Sequence, residues 1–173
     1  MKKFDLVDTE DNVIGITNKE ESHKNGHIHR VVAIYVFTPE GKLYVQEHIK
    51  SDGLFDHSVG GHVHKGESYD QAAKREGKEE LGLRDNLTKI SIFYSDETFF
   101  GAKSKHIFAL YECYPSKHWK FKPNEEVKNI FPLTIEETVN LMNKDPKKFT
   151  PGFLNTMREY IKQKHLNLIL KQF

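Results

Sequence analysis

The stretch that decides the fold runs from Gly61 to Leu83, GHVHKGESYDQAAKREGKEELGL. The glycine-rich loop Val59-Gly60-Gly61 leads into a helix expected from about Ser68 to Leu81, with Gly82 as a left-handed terminator. On that helix Glu76, Glu79 and Glu80 stand at i, i+3 and i+4, so three carboxylates project from one face. Like charges so arranged repel, and the arrangement is unfavourable unless a cation sits against it. Hard divalent ions prefer carboxylate oxygens. Taken alone, the three glutamates read first as a solvated acidic face, because glutamate is a common surface residue of helices.

Working outward, Val31 to Phe37 is a β-rich run, Pro39-Glu40-Gly41 a turn and Leu43 to Glu47 the returning strand, which predicts a central antiparallel pair. Phe4 to Val7 and Val13 to Ile16 flank Asp11-Asn12 and read as a hairpin. Leu87 to Tyr94, Lys105 to Tyr114 and Asn129 to Leu133 are expected to complete a mixed sheet. Helices are expected within about 134–169: Thr134 with Glu137 is a capping-box pattern, and Thr150 precedes Pro151 at a first helical position. Phe153, Leu154, Met157 and Ile161 recur at helical spacing and read as core. With no repeat or low-complexity linker, residues 1–173 are expected to form one domain.

Lysine and arginine number 26 against 25 aspartate and glutamate, a net charge of +1 that gives no reason to expect polymeric nucleic acid as a partner. Cys113 is the sole cysteine, which excludes an intramolecular disulfide and a multi-cysteine zinc site and fits a reducing compartment, so a cytoplasmic protein is expected. The N-terminus goes straight to charges, and the longest apolar run, Val31 to Phe37, is too short to span a bilayer. Neither secretion nor membrane insertion is expected.

The full spacing is Gly61, five residues, Glu67, seven residues, Arg75-Glu76, two residues, Glu79-Glu80, Leu81, Gly82-Leu83. It resembles the signature of the Nudix hydrolases at every fixed glycine, glutamate and arginine. One position departs: Gly77 replaces a bulky aliphatic that packs on the sheet, and glycine within a helix costs about 0.5–1 kcal/mol relative to alanine. The resemblance implies an α/β/α sandwich, a mixed sheet between the box helix and the C-terminal helices. It implies that Glu76, Glu79 and Glu80, with the carbonyl of Gly60, hold divalent cations, Mg²⁺ with Mn²⁺ as a substitute. Gly61, Glu67, Arg75 and Gly82 would be structural, Glu67 and Arg75 as a buried pair. The implied chemistry is attack of water at phosphorus on a small diphosphate, with Glu79 and Glu80 catalytic. Glu125 and Glu126 are downstream candidates for the proton acceptor and Glu97 is a competing one. Dimers are common among similar proteins.

Within that family, His29-Arg30, the Gly41 turn and Leu54-Phe55-Asp56-His57-Ser58-Val59-Gly60-Gly61-His62 resemble the branch of type 1 isopentenyl-diphosphate isomerases, over roughly residues 3–160. By that resemblance His23, His29 and His62 are candidates for a second metal site. The isomerases need a cysteine immediately before the Gly-His of this loop, where this chain has Gly60. Their acidic ligand pair is replaced by the neighbourhood Lys103-Ser104-Lys105-His106. These losses and the intact glutamates point to hydrolysis, with isomerisation and non-catalytic ligand sensing as alternatives. Trp119 and Phe121, interleaved with Lys117, Lys120 and Lys122, are either a base-stacking surface or a solvated loop with an anchoring tryptophan. Tyr94 and Phe99-Phe100-Gly101 either line the pocket or belong to the core.

Overall fold

A computed structural model describes residues 2–49, 53–99, 102–120 and 127–172. The chain begins with the expected hairpin, β1 (Lys3–Val7) and β2 (Val13–Asn18), turned at Asp11 with a positive φ of 69°. A helix absent from the sequence reading follows, α1 (Lys19–Asn25). It is short, but Asn18 caps its first turn and Gly26, at φ 69°, ends it.

Next come β3 (His29–Val36), β4 (Leu43–His48), β5 (Phe55–Asp56) and β6 (Val59–His62), then α2 (Tyr69–Leu81). The chain continues through β7 (Thr88–Phe99), β8 (Ala102–Cys113) and β9 (Val127–Leu133), and closes with α3 (Ile135–Lys144), a 3-10 turn at Pro146–Lys148, and α4 (Pro151–Gln163). The larger sheet runs β2-β1-β3-β8-β7, with β6 also paired to β3. A second sheet has the order β5-β4-β9.

Two expectations are corrected. β3 and β4 do not form the central pair; they share only the bridge Phe37 to Leu43. One edge of β3 is taken by β8, in parallel register from His29–His106 to Val36–Cys113. The other edge is taken by β6, which pairs Val59–His62 with Ile34–Val31. β4 therefore pairs with β9, so the 129–133 segment completes the second sheet rather than the first. The second correction is local: the glycine-rich stretch at 59–62 is a strand and not a loop.

β3 is buried on both faces and its alternate residues serve two cores. Val31, Ala33, Tyr35 and Phe37 pack with Phe108 and Leu110 against Met142 of α3 and Phe153, Met157 and Tyr160 of α4. Val32, Ile34 and Val36 pack with Ala109 and Tyr111 against Ala72, Ala73 and Leu81 of α2. The result is the α/β/α arrangement, with α2 on one face of the mixed sheet and α3 and α4 on the other. Among the described residues no helix is long and apolar enough to cross a membrane.

Candidate active site

Ser68 and Gln71 form a reciprocal capping box at the start of α2, and Gly82, at φ 64°, ends the helix in the left-handed conformation. Arg75 joins this helix to the loop before it. Its Nε donates to Glu67 Oε1 at 2.9 Å and its Nη2 to Glu67 Oε2 at 2.8 Å. Nη2 also reaches the His62 carbonyl at 2.9 Å, and Nη1 reaches Glu76 Oε1 at 2.6 Å. Desolvation pushes the Glu67 carboxyl up, but the Arg75 hydrogen bonds, the His64 amide and the guanidinium charge together hold it below its ordinary range.

Glu76 lies directly over β6. A β carbon on Gly61 would stand 2.1 Å from the Glu76 carboxyl carbon, so only glycine lets the carboxylate reach the strand backbone. Burial first, and Glu79 as a like charge, push the Glu76 carboxyl up against the pull of Arg75. A carboxylate destabilised by its own surroundings, with Glu79 and Glu80 on the same cavity wall, is one that a cation would stabilise. Oxygen donors alone suit a hard octahedral ion, so these residues fit Mg²⁺.

A tighter cluster of potential ligands lies beside this one. Single ligand atoms of His29, His62 and His106 all fall within 4.8 Å of one another. His29 and His106 face each other across the parallel β3–β8 register, with ring centroids 4.6 Å apart, and His62 stacks on His29 at 5.2 Å. Burial lowers the His29 pKa to about 4 and drives His62 and His106 well below their ordinary value, so all three rings are neutral. Nε2 of His29 is buried without a hydrogen-bond partner. Neutral, converging imidazoles with an orphaned nitrogen fit a borderline divalent ion. His23, on α1, stands one ring further out, 6.0 Å from His29 and 6.4 Å from His106. The sequence reading had His23, His29 and His62 in this place. His106, which the sequence places in the neighbourhood that replaces an acidic ligand pair, joins His29 and His62 as the third member of the cluster.

Adjacent residues of β6 face opposite sides of the sheet, so Gly61 meets α2 while His62 joins the imidazoles on the α4 side. A cavity of about 1010 Å³ reaches both faces. Its far wall carries Asp56, His57 and Glu97. His57 Nδ1 is 2.6 Å from Asp56 Oδ1, and Nε2 is 2.7 Å from Thr156 Oγ1. Glu97, the competing proton acceptor, is 9% exposed and accepts from Ser95 Oγ at 2.8 Å. Burial pushes its carboxyl up despite that bond.

Of the other candidates, Glu125 and Glu126 lie outside the described residues, as do Phe100, Gly101, Phe121 and Lys122. Trp119 donates from Nε1 to the Leu81 carbonyl at 3.1 Å and packs on Tyr44, which makes it an anchor for the end of α2. Tyr94 is exposed on β7 and lies away from the cavity. Cys113 is buried in the core beneath α2, its thiol pushed up to about 11 by desolvation. Gly77 is buried where α2 crosses β3, and a β carbon there would meet Leu83 at 3.4 Å and Ile34 at 3.5 Å.

Comparison with known proteins agrees with this geometry. The family profile of the NUDIX domain matches residues 27–153, and the chain belongs to that family. It is 32% identical over 163 residues to an isopentenyl-diphosphate Delta-isomerase of Serratia proteamaculans, covering 89% of this chain and 88% of that one. It is 40% identical over 83 residues to an uncharacterised Nudix hydrolase of Streptomyces coelicolor, covering 46% of each. Among solved structures, DR0079 of Deinococcus radiodurans superposes with a TM-score of 0.70 at 23% identity, over 91% of this chain and 97% of that one. The dihydroneopterin triphosphate pyrophosphohydrolase of E. coli superposes with a TM-score of 0.57 at 12% identity, over 78% and 94%.

Proposed function

We propose that this protein hydrolyses a phosphoanhydride bond of a small diphosphate, with Mg²⁺ held by Glu76, Glu79, Glu80 and the Gly60 carbonyl. One observation carries the reading: Arg75 clamps the box loop while Glu76 is pressed over the bare backbone of Gly61, on the wall of a large cavity. The bound ion would neutralise diphosphate oxygens and acidify a water molecule. The chain's own contribution is to hold the carboxylates in place before substrate arrives, so that little reorganisation accompanies the reaction. Proton removal falls to Glu79 or Glu80 on the same helix, to Glu125 or Glu126 from the downstream segment, or to Glu97 on the cavity wall.

A second reading, isomerisation of isopentenyl diphosphate, draws on the imidazole cluster and on the named relative of Serratia proteamaculans. Against it, position 60 offers no thiol, and the only cysteine is buried in the opposite core with a raised pKa.

The deciding experiment measures Mg²⁺-dependent release of phosphate or pyrophosphate from nucleotides, sugar nucleotides, dinucleotides, coenzyme A and prenyl diphosphates, with isomerisation assayed in parallel. Hydrolysis that disappears in Glu79→Gln and Glu80→Gln, with the fold retained, is the expected result. Isomerisation without hydrolysis would replace this reading with the second one.

A further inference from the structure

The imidazole cluster has no part in the hydrolysis above, yet its local bonding is arranged for a Lewis acid. Nδ1 of His29 lies 3.2 Å from the His27 carbonyl, and a carbonyl only accepts, so Nδ1 carries the ring proton. Nε2 is then a bare lone pair, buried in a residue 1% exposed, with no donor against it. One ring nitrogen bonded to a backbone carbonyl, with the other left bare, is the arrangement that orients metal-binding histidines. Ser104 Oγ stands 3.5 Å from both nitrogens of His106, at the outer limit of a hydrogen bond, so it commits neither.

The strands hold the three rings together without an ion. His29 and His106 are direct partners in the β3–β8 register, and His62 pairs with Val31 on the other edge of β3. Phe4 stacks on His62 at 4.8 Å and Phe108 stands edge-on to His106 at 5.5 Å, so apolar rings wall the cluster. The ligand atoms lie within 4.8 Å of one another, and no carboxylate among the described residues joins the group. A tetrahedral ion with bonds of about 2.0–2.1 Å holds its donors roughly 3.4 Å apart, so small ring rotations close the set. His62 and His106 line the cavity, and on that side the cluster is open.

We propose that His29, His62 and His106 hold one borderline ion, Zn²⁺ or in its place Co²⁺, with three imidazole ligands and a fourth position that opens into the cavity. Nitrogen donors alone select such ions over Mg²⁺, which prefers the carboxylates of α2. The two sites lie on opposite faces of β6, so each takes its own class of ion and no side chain serves both. A closed structural site would have four protein ligands; three leave a position that water or an anionic oxygen takes. His106 decides the chemistry, since it belongs to the neighbourhood where the resembled isomerases place acidic ligands. His23, further out, lies outside the set. The assignment holds whether the diphosphate is hydrolysed or isomerised.

The test reads the ion itself and not turnover. The whole protein is stripped with EDTA, dialysed and titrated with Co²⁺ in excess Mg²⁺ while the visible spectrum is recorded. One equivalent is expected to bind with the strong absorption of four-coordinate Co²⁺, to be displaced by Zn²⁺, and to change its spectrum when azide is added. His106→Gln and, separately, His62→Gln are expected to weaken Co²⁺ binding by more than about a hundredfold, beyond the usual cost of losing an outer partner. His23→Gln, and Glu79→Gln combined with Glu80→Gln, are expected to leave it within about twofold, as residues that share no ligand with the site. The faint absorption of a six-coordinate ion in wild-type protein, or no uptake of Co²⁺ in excess Mg²⁺, would overturn the proposal. An equal loss in His23→Gln and His106→Gln would overturn the ligand set, and a spectrum that azide does not move would remove the open position.

Discussion

Arg75 holds both carboxylate oxygens of Glu67 in a two-point grip, at 2.9 and 2.8 Å, while the same guanidinium reaches the His62 carbonyl and Glu76. Both side chains are mostly buried, 19% and 16% exposed, so removing either leaves the other charge less well compensated. Glu67→Ala is expected to destabilise the protein by about 3 kcal/mol, the lower end for breaking a buried pair, because the arginine keeps its bond to Glu76. Urea denaturation checks this; a loss below about 1 kcal/mol would place the pair among ordinary surface ion pairs.

Gly61→Ala tests the fit between strand and helix. The new methyl would overlap the Glu76 carboxyl and push it off β6. Displacement by about 1 Å of a group that positions reactants costs on the order of a hundredfold in rate. The expected result is such a drop in kcat and a higher Mg²⁺ requirement, with the circular dichroism spectrum unchanged.

Gly77→Ala should act in the opposite sense on stability. A β carbon at this site meets Leu83 and Ile34 at ordinary contact distance, so the methyl fills space and removes the helix penalty of glycine. A gain of about 0.5–1 kcal/mol is expected, read as a higher urea midpoint at unchanged slope. Gly77→Leu is expected to lose roughly 1–3 kcal/mol through overpacking at the same contact.

Acid should weaken the metal-free protein through its buried imidazoles. His29 titrates at about 4 when folded against about 6.5 when unfolded, so in that interval the unfolded chain binds the extra proton. Stability is therefore full above about pH 6.5 and declines as the pH falls toward 4, by roughly 3 kcal/mol from this ring alone. Denaturation in EDTA across that range measures the slope, and His29→Gln is expected to flatten part of it.

What the sequence disclosed was largely what is encoded locally. The ends of α2, α3 and α4 were legible because Ser68, Thr134 and Thr150 cap them through residues three positions on, and Gly82 stops α2 in the conformation that glycine favours. α1 was missed although Asn18 and Gly26 mark its ends, because seven residues hold too little periodicity to register. Strand partners were misread where they depend on competition between distant segments. The turn at Gly41 suggested β3 with β4, but β8 and β6 occupy both edges of β3. His106 belongs to the neighbourhood that replaces an acidic ligand pair, but that it is itself a candidate ligand shows only in the register that sets it opposite His29. The far wall of the cavity was equally hidden: Asp56, Glu97 and Gly152 meet only after β5, β7 and α4 have packed.

The three converging imidazoles come from β3, β6 and β8, which lie side by side, yet β4 and β5 separate the first two along the chain and the whole of α2 and β7 separates the last two. An ion bound to all three would act as a reversible cross-link between segments far apart along the chain. The resistance of the central sheet to unfolding would then follow the supply of metal, and stripping the ion would loosen three strands at once.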